Sequence, residues 1–170
     1  MSSFKPRQIT LTDAVEVSRL AARDIENWLK GIAETRQIIN VEDDPQYQNQ
    51  DIDLIWQTQN REYKIEIKGD RWHKTGNFFF ETHSNRERNT PGCFIYTHAD
   101  YIFYYFVVPK ILYCLPVPET RDWFLSNLNR FKERSTTTPT RTGSYTTVGR
   151  LVPIATLLKE VKGVKKVILK

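Results

Sequence analysis

Two short runs place acids and a lysine within reach of one another: Gln50-Asp51-Ile52-Asp53-Leu54-Ile55-Trp56 and Tyr63-Lys64-Ile65-Glu66-Ile67-Lys68. In a strand, residues two apart point the same way. Glu66 and Lys68 therefore share a face, with Ile65 and Ile67 on the other. The polar stretch from Gln57 to Glu62 holds the turn between the runs. With Gln59-Asn60 as a two-residue turn, Asp53 lies opposite Glu66 and Asp51 opposite Lys68. Opposed Cβ atoms in a hairpin are about 5 Å apart. Carboxylates that close repel unless a cation sits between them. Oxygen ligands of this kind suit magnesium, with manganese as a substitute. A lysine beside the ion can orient or deprotonate an attacking water, which is the chemistry of phosphodiester hydrolysis. Asp51 rivals Asp53, because both fall on the same face of an extended strand. The turn also lacks the glycine that short hairpins favour. A shift of its centre by one residue would bring Asp53 opposite Lys68 instead.

The set Asp53…Glu66-Ile67-Lys68, with thirteen residues from acid to acid, resembles the PD-(D/E)XK nuclease superfamily. That group includes restriction-type endonucleases, Holliday-junction resolvases and phage nucleases. Its leading proline is missing; Ile52 stands in that place. The text that follows, Lys68-Gly69-Asp70-Arg71 and then Thr75-Gly76-Asn77-Phe78-Phe79-Phe80-Glu81, is similar to phage and bacterial members. The likeness covers residues ~25–110. It implies an α/β fold with a central mixed β-sheet flanked by helices, the restriction-endonuclease-like core. It implies a magnesium-dependent endonuclease acting on DNA. Asp53 and Glu66 would bind the metal together with the Ile67 carbonyl, and Lys68 would handle the water. A glutamate on the first helix often supports the metal in such proteins; Glu26 is the candidate, and Asp24 competes with it. Two alternatives stay open. One is a structure-selective junction resolvase acting as a homodimer. The other is a non-catalytic nucleic-acid-binding module of the same fold.

The elements that must position these residues can be traced along the chain. Thr12-Asp13 caps a predicted helix that runs to about Thr35, with Leu20, Ala21, Ile25, Trp28, Leu29 and Ile32 at helical spacing. Ile38 to Val41 reads as a short strand, and Glu42 to Gln50 as a polar loop. The acid-bearing hairpin follows. Asn77 to Thr82 reads as a third strand and His83 to Pro91 as a polar connection. Tyr101 to Val108 and Ile111 to Leu115 read as strands around Pro109-Lys110. Pro118 to Phe131 looks helical. Lys132 to Thr147 holds seven threonines and reads as a flexible loop or an exposed hairpin. Leu151 to Val161 holds a short helix ended by Gly163, and Val164 to Leu169 a last strand. The order is α-β-β-β-α-β within one expected domain, residues 1–170.

The net charge of +5 and pI near 9.2 favour a polyanionic partner, here DNA. Arg71, His73 and Lys74 follow the motif lysine as a basic loop able to reach phosphates. The threonine-rich segment, with Arg134 and Arg141 and flanked by Arg130, Lys132 and Arg150, reads as a second DNA arm. The aromatics of Phe78–Phe80 and Tyr96–Phe106 read as core. His73, His83 and His98 are too scattered for a zinc set. Two further Glu-x-Lys patterns exist: Glu62-Tyr63-Lys64 beside the turn, and Glu160-Val161-Lys162, read as a solvated helix face. Cys93 and Cys114 read as buried thiols. Met1 to Thr10 lacks an apolar leader, and Tyr101–Val108 is too short to span a bilayer. The expected setting is the cytoplasm.

Overall fold

The computed structural model describes residues 11–170. The stretch Met1–Thr10 lies outside them. In chain order the elements begin with α1 (Leu11–Lys30), β1 (Thr35–Asn40), α2 (Pro45–Gln48), β2 (Leu54–Thr58) and β3 (Glu62–Asp70). Then come β4 (Asn77–Asn85), β5 (Thr90–Pro91), α3 (Cys93–Tyr96), β6 (Tyr101–Phe106) and β7 (Ile111–Pro116). The chain ends with α4 (Val117–Ser126), β8 (Lys132–Thr140), β9 (Gly143–Pro153), α5 (Ile154–Glu160) and β10 (Lys165–Ile168). Among the described residues, no helix is long and apolar enough to cross a membrane.

Helix α1 follows from a four-residue apolar spacing: Ala21, Ile25 and Leu29 are fully buried. Leu11 is already helical, so Thr12 and Asp13 belong to the first turn and are not its cap. The helix stops at Lys30 rather than near Thr35. Thr35 instead opens β1; its hydroxyl donates to Leu29 O at 2.7 Å and accepts from Trp56 Nε1 at 2.9 Å. That double use fastens the helix end to the β1–β2 pair.

The fold is α/β with a mixed sheet of six strands in the order β1-β2-β3-β6-β7-β10. All neighbours are antiparallel except β3 and β6, which run parallel. Helix α1 covers one face, burying Ala21, Ile25 and Leu29 on Leu54, Ile65, Phe103 and Tyr105. The opposite face carries Ile55, Ile102, Tyr104, Phe106, Tyr113 and Leu115.

That second face is covered by a feature the sequence reading did not place. Strand β4 does not join the central sheet; it belongs to a separate four-stranded sheet, β5-β4-β9-β8. The polar connection expected at His83–Pro91 continues β4 to Asn85 and includes β5. Of the two readings of the threonine-rich segment, the hairpin holds and the flexible loop does not. The segment forms β8 and the start of β9, paired from Lys132↔Leu151 to Thr140↔Gly143. Threonine is β-branched and suits a pleated strand despite its polarity. Phe78 and Phe80 on β4 and Val152 on β9 enter the same buried cluster as Tyr104 and Phe106. Phe94, Phe124 and Leu157 from α3, α4 and α5 complete it. Phe78, Phe80 and Phe103–Phe106 are thus core, as their strand spacing implies, whereas Phe79 is half-buried and Tyr96 exposed.

Candidate active site

The β2–β3 hairpin has the register expected from a turn on Gln59-Asn60. Leu54 pairs with Ile65 and Trp56 with Tyr63. Thr58 N–H donates to Arg61 O at 2.8 Å across that turn. The missing glycine is compensated by Thr58, whose hydroxyl accepts from Arg61 N–H at 3.1 Å and donates to Arg61 O at 2.9 Å. Ile65 and Ile67 pack toward α1, so Glu66 and Lys68 face the second sheet.

Asp53 sits just before β2, where the ladder ends. Its N–H donates to Ile65 O, and its carbonyl accepts from Val41 N–H, both at 2.9 Å. Its Oδ2 accepts from Ile67 N–H at 2.7 Å, which fixes the carboxylate's orientation. Backbone groups along a strand alternate between its two edges. Lys64 O and Asp70 O accept from Asp100 N–H and Val107 N–H, on the β6 side. Ile65 and Ile67 therefore turn theirs toward β2. Since β2 begins only at Leu54, the Ile67 carbonyl points to the edge where the Asp53 carboxylate lies.

The Asp53 and Glu66 carboxyl groups line one pocket, and each shifts the other's titration. Burial pushes Asp53 up to about 6, against which its bond from Ile67 N–H works. Glu66 is pushed up further, first by burial and then by the charges of Asp53 and Asp51. With no cation at hand, such a pair shares a proton. A pocket of about 240 Å³ is lined by both acids, Ile67, Lys68, Asn40 and Glu42. Glu42 stands in the turn that follows β1. It follows Val41, whose N–H is bonded to Asp53 O, and its charge is felt by Asp53. Only the pairing of β1 on β2 brings it there, and no local pattern signals it.

Among the described residues, no three His, Cys, Asp or Glu side chains converge as one cluster. The oxygen set is two carboxylates and one carbonyl, with Glu42 on the wall. That small hard-oxygen set fits magnesium, which keeps several of its waters and takes only one or two carboxylates.

The other acids are placed as follows. Glu26 accepts from Asn40 Nδ2 at 3.1 Å and lies 4.0 Å from Lys30 Nζ. It therefore reaches the pocket only through Asn40. Asp24 accepts from Tyr105 O–H at 2.9 Å and is spoken for. Asp51 is not in a strand: its φ is 50°, and Thr97 O–H holds its carbonyl at 2.6 Å. Strand alternation does not reach it, so the expected pairing of Asp51 with Lys68 fails. Lys68 is ion-paired with Glu81 of β4. Asp51 remains near enough for the charges of Lys68 and His98 to oppose the upward push of its burial.

A second, larger groove of about 560 Å³ adjoins the acid pocket through Ser18, Lys68 and Gly69. Arg71, Trp72, Phe79, Arg134 and Tyr145 line it. The Arg71 guanidinium lies 5.1 Å from the Trp72 ring centroid and 3.7 Å from Asp13. The groove thus brings Arg71 and Arg134 together. It does not take in His73 and Lys74, which occupy a 3₁₀ turn, nor Arg141, exposed at the β8–β9 turn. Arg130 forms a bidentate pair with Glu160 at 2.8 and 2.9 Å, and Arg150 pairs with Glu133 at 3.1 Å. Glu160 also accepts from Trp123 Nε1 at 2.9 Å, so it ties α4 to α5 and is more than a solvated helix face. No protein-family model, curated protein or solved structure matches the chain.

Proposed function

We propose that this chain is a magnesium-dependent nuclease of the PD-(D/E)XK type, with a restriction-endonuclease-like core, that hydrolyses DNA phosphodiester bonds. The observation that carries the reading is the half-buried Asp53–Glu66 pair on a β-hairpin, both lining one pocket, with Lys68 two residues further along the same face. A pair whose charges are both disfavoured is a site waiting for a cation. The mixed sheet with α1 over its acid-bearing hairpin supports the same reading.

Asp53, Glu66 and the Ile67 carbonyl would hold the metal. When bound, it would supply charge stabilisation at the scissile phosphate and a more acidic water. The bond from Ile67 N–H holds the Asp53 carboxylate in place. Lys68, held by Glu81 across the two sheets, orients the water and contacts the phosphate. The net charge of +5 favours approach of a polyanion. Both cysteines are buried free thiols, which suits a reducing cytoplasm.

The test is direct. Purified protein should cut DNA with Mg²⁺ or Mn²⁺ and be silent in EDTA. Lys68→Ala should lose about 10²–10⁴-fold in rate while still binding Mn²⁺ by titration calorimetry. A Glu66→Ala, Lys68→Ala double variant that cuts as fast as wild type removes the site. Binding of DNA without any cleavage by wild type would favour the non-catalytic module.

A further inference from the structure

The second groove runs from the acid pocket across the four-stranded sheet, and its floor has a definite layout. Arg134 on β8 pairs with Gly149 on β9, and Gly149 pairs with Glu81 on β4. Glu81 holds Lys68, which lines both pockets. Neighbouring strands are about 4.8 Å apart. Arg134 therefore stands about 10 Å from Glu81, with one bare residue between them. Gly149 cannot be anything larger: a Cβ there would meet Phe80 O at 2.6 Å and the Phe79 ring at 2.7 Å. The next rows on the same face are Thr136↔Thr147 and Thr138↔Tyr145, hydroxyl groups and one ring. Trp72 lines the groove at 37% exposure, with the Arg71 guanidinium 5.1 Å from its ring centroid.

The groove's acids are already engaged. Asp70 accepts from Tyr104 O–H, and from Trp72 N–H at 2.7 Å. Glu81 is held by Lys68 and Asp13 by Arg71. α1 forms one wall and comes into contact with β8, and the cavity of about 560 Å³ has the size of a small-ligand site. That volume suits a short stretch of a single backbone with its bases better than a double helix.

We propose that this groove is a track for single-stranded DNA that leads one strand into the acid pocket. Arg134 contacts a phosphate next to the scissile one, and Trp72 and Tyr145 stack on bases. Aromatic platforms beside cations are how sequence-tolerant single-strand sites are built. The assignment rests on the nuclease reading, since it gives that site its substrate class.

The experiment uses the full chain in EDTA, where no cutting occurs. A fluorescein-labelled single strand of about 12 nucleotides, within the site sizes of single-strand binders, and its blunt duplex are titrated by anisotropy over a range of NaCl. The single strand should bind at least about fivefold tighter than the duplex. Trp72→Ala should weaken single-strand binding by about fivefold or more. Arg134→Ala should lower the slope of log K against log salt by about 0.7, one phosphate contact on a single strand. Duplex bound as well as single strand, or both variants binding like wild type, overturns the track. The same preparations are then assayed with Mg²⁺. Cleavage without strand preference removes the track and keeps the nuclease; single-strand binding sensitive to both variants, without cleavage, keeps the track and removes the nuclease.

Discussion

Asp53 and Glu66 disfavour each other's charge in a half-buried pocket, and both consequences of that can be measured. Asp53 moves from 3.8 to about 6 on folding. A carboxyl raised in the folded state stabilises it fully below the unfolded value, and that contribution is lost as the pH climbs through the folded one. The window is therefore about pH 4 to 6. Above it, the cation-free protein bears the cost of holding the Asp53 charge beside Glu66. Asp53→Asn keeps an oxygen for Ile67 N–H and removes one charge. In EDTA at pH 7.5 it should raise Tm by about 2–4 °C, and at pH 4 that gain should vanish. An equal shift at both pH values would show that the charge is not responsible. The same variant should abolish cleavage. Asp51→Asn should matter much less, because asparagine tolerates the left-handed backbone that Asp51 adopts, and Asp51 lies off the ladder.

The elements meet at Lys68. Strand β3 presents it, β4 anchors it through Glu81, and α1 closes over the next residue. A Cβ at Gly69 would stand 3.0 Å from both Val17 O and Ala21 Cβ, so only glycine lets the helix pack this tightly beside the lysine. Because its anchor comes from another sheet, Lys68 is positioned by tertiary packing. Glu81→Gln should leave the fold intact and lower kcat by about tenfold, equivalent to about 1.4 kcal/mol, with KM little changed. A purely structural role for Glu81 would instead lower Tm without moving kcat.

On the scale of the molecule, one buried cluster takes in both sheets and α3 to α5, and β9, whose Val152 enters it, pairs with both β4 and β8. The β8–β9 hairpin should therefore not melt separately. Far-ultraviolet circular dichroism and tryptophan fluorescence should report one coincident transition. Magnesium at ~100 times its Kd should stabilise the folded state by about 2.7 kcal/mol at pH 7.5. The Asp53→Asn variant should show little of that gain. Two separated transitions, or an equal magnesium effect in the variant, would contradict this arrangement.

Local chemistry was enough to pair Asp53 with Glu66. Strand alternation has a period of two and Ile65 and Ile67 choose the buried face, which gives that pair for a turn on Gln59-Asn60; the glycine-free turn left a second register open, and the Thr58–Arg61 bonds decide between them. The helical spacing of Ala21, Ile25 and Leu29 and the aromatic strands were legible for the same reason: periodicity against a core is written in the chain itself. The rest depended on partners far away in sequence. Glu42 reaches the pocket through β1 pairing on β2, and Glu81 reaches Lys68 because β4 leaves the central sheet. The polar residues of the threonine-rich segment left a loop and an exposed hairpin both open. The segment becomes a sheet because β9 pairs with it and with β4, and that long-range pairing assembles the groove from Arg71, Trp72, Arg134 and Tyr145.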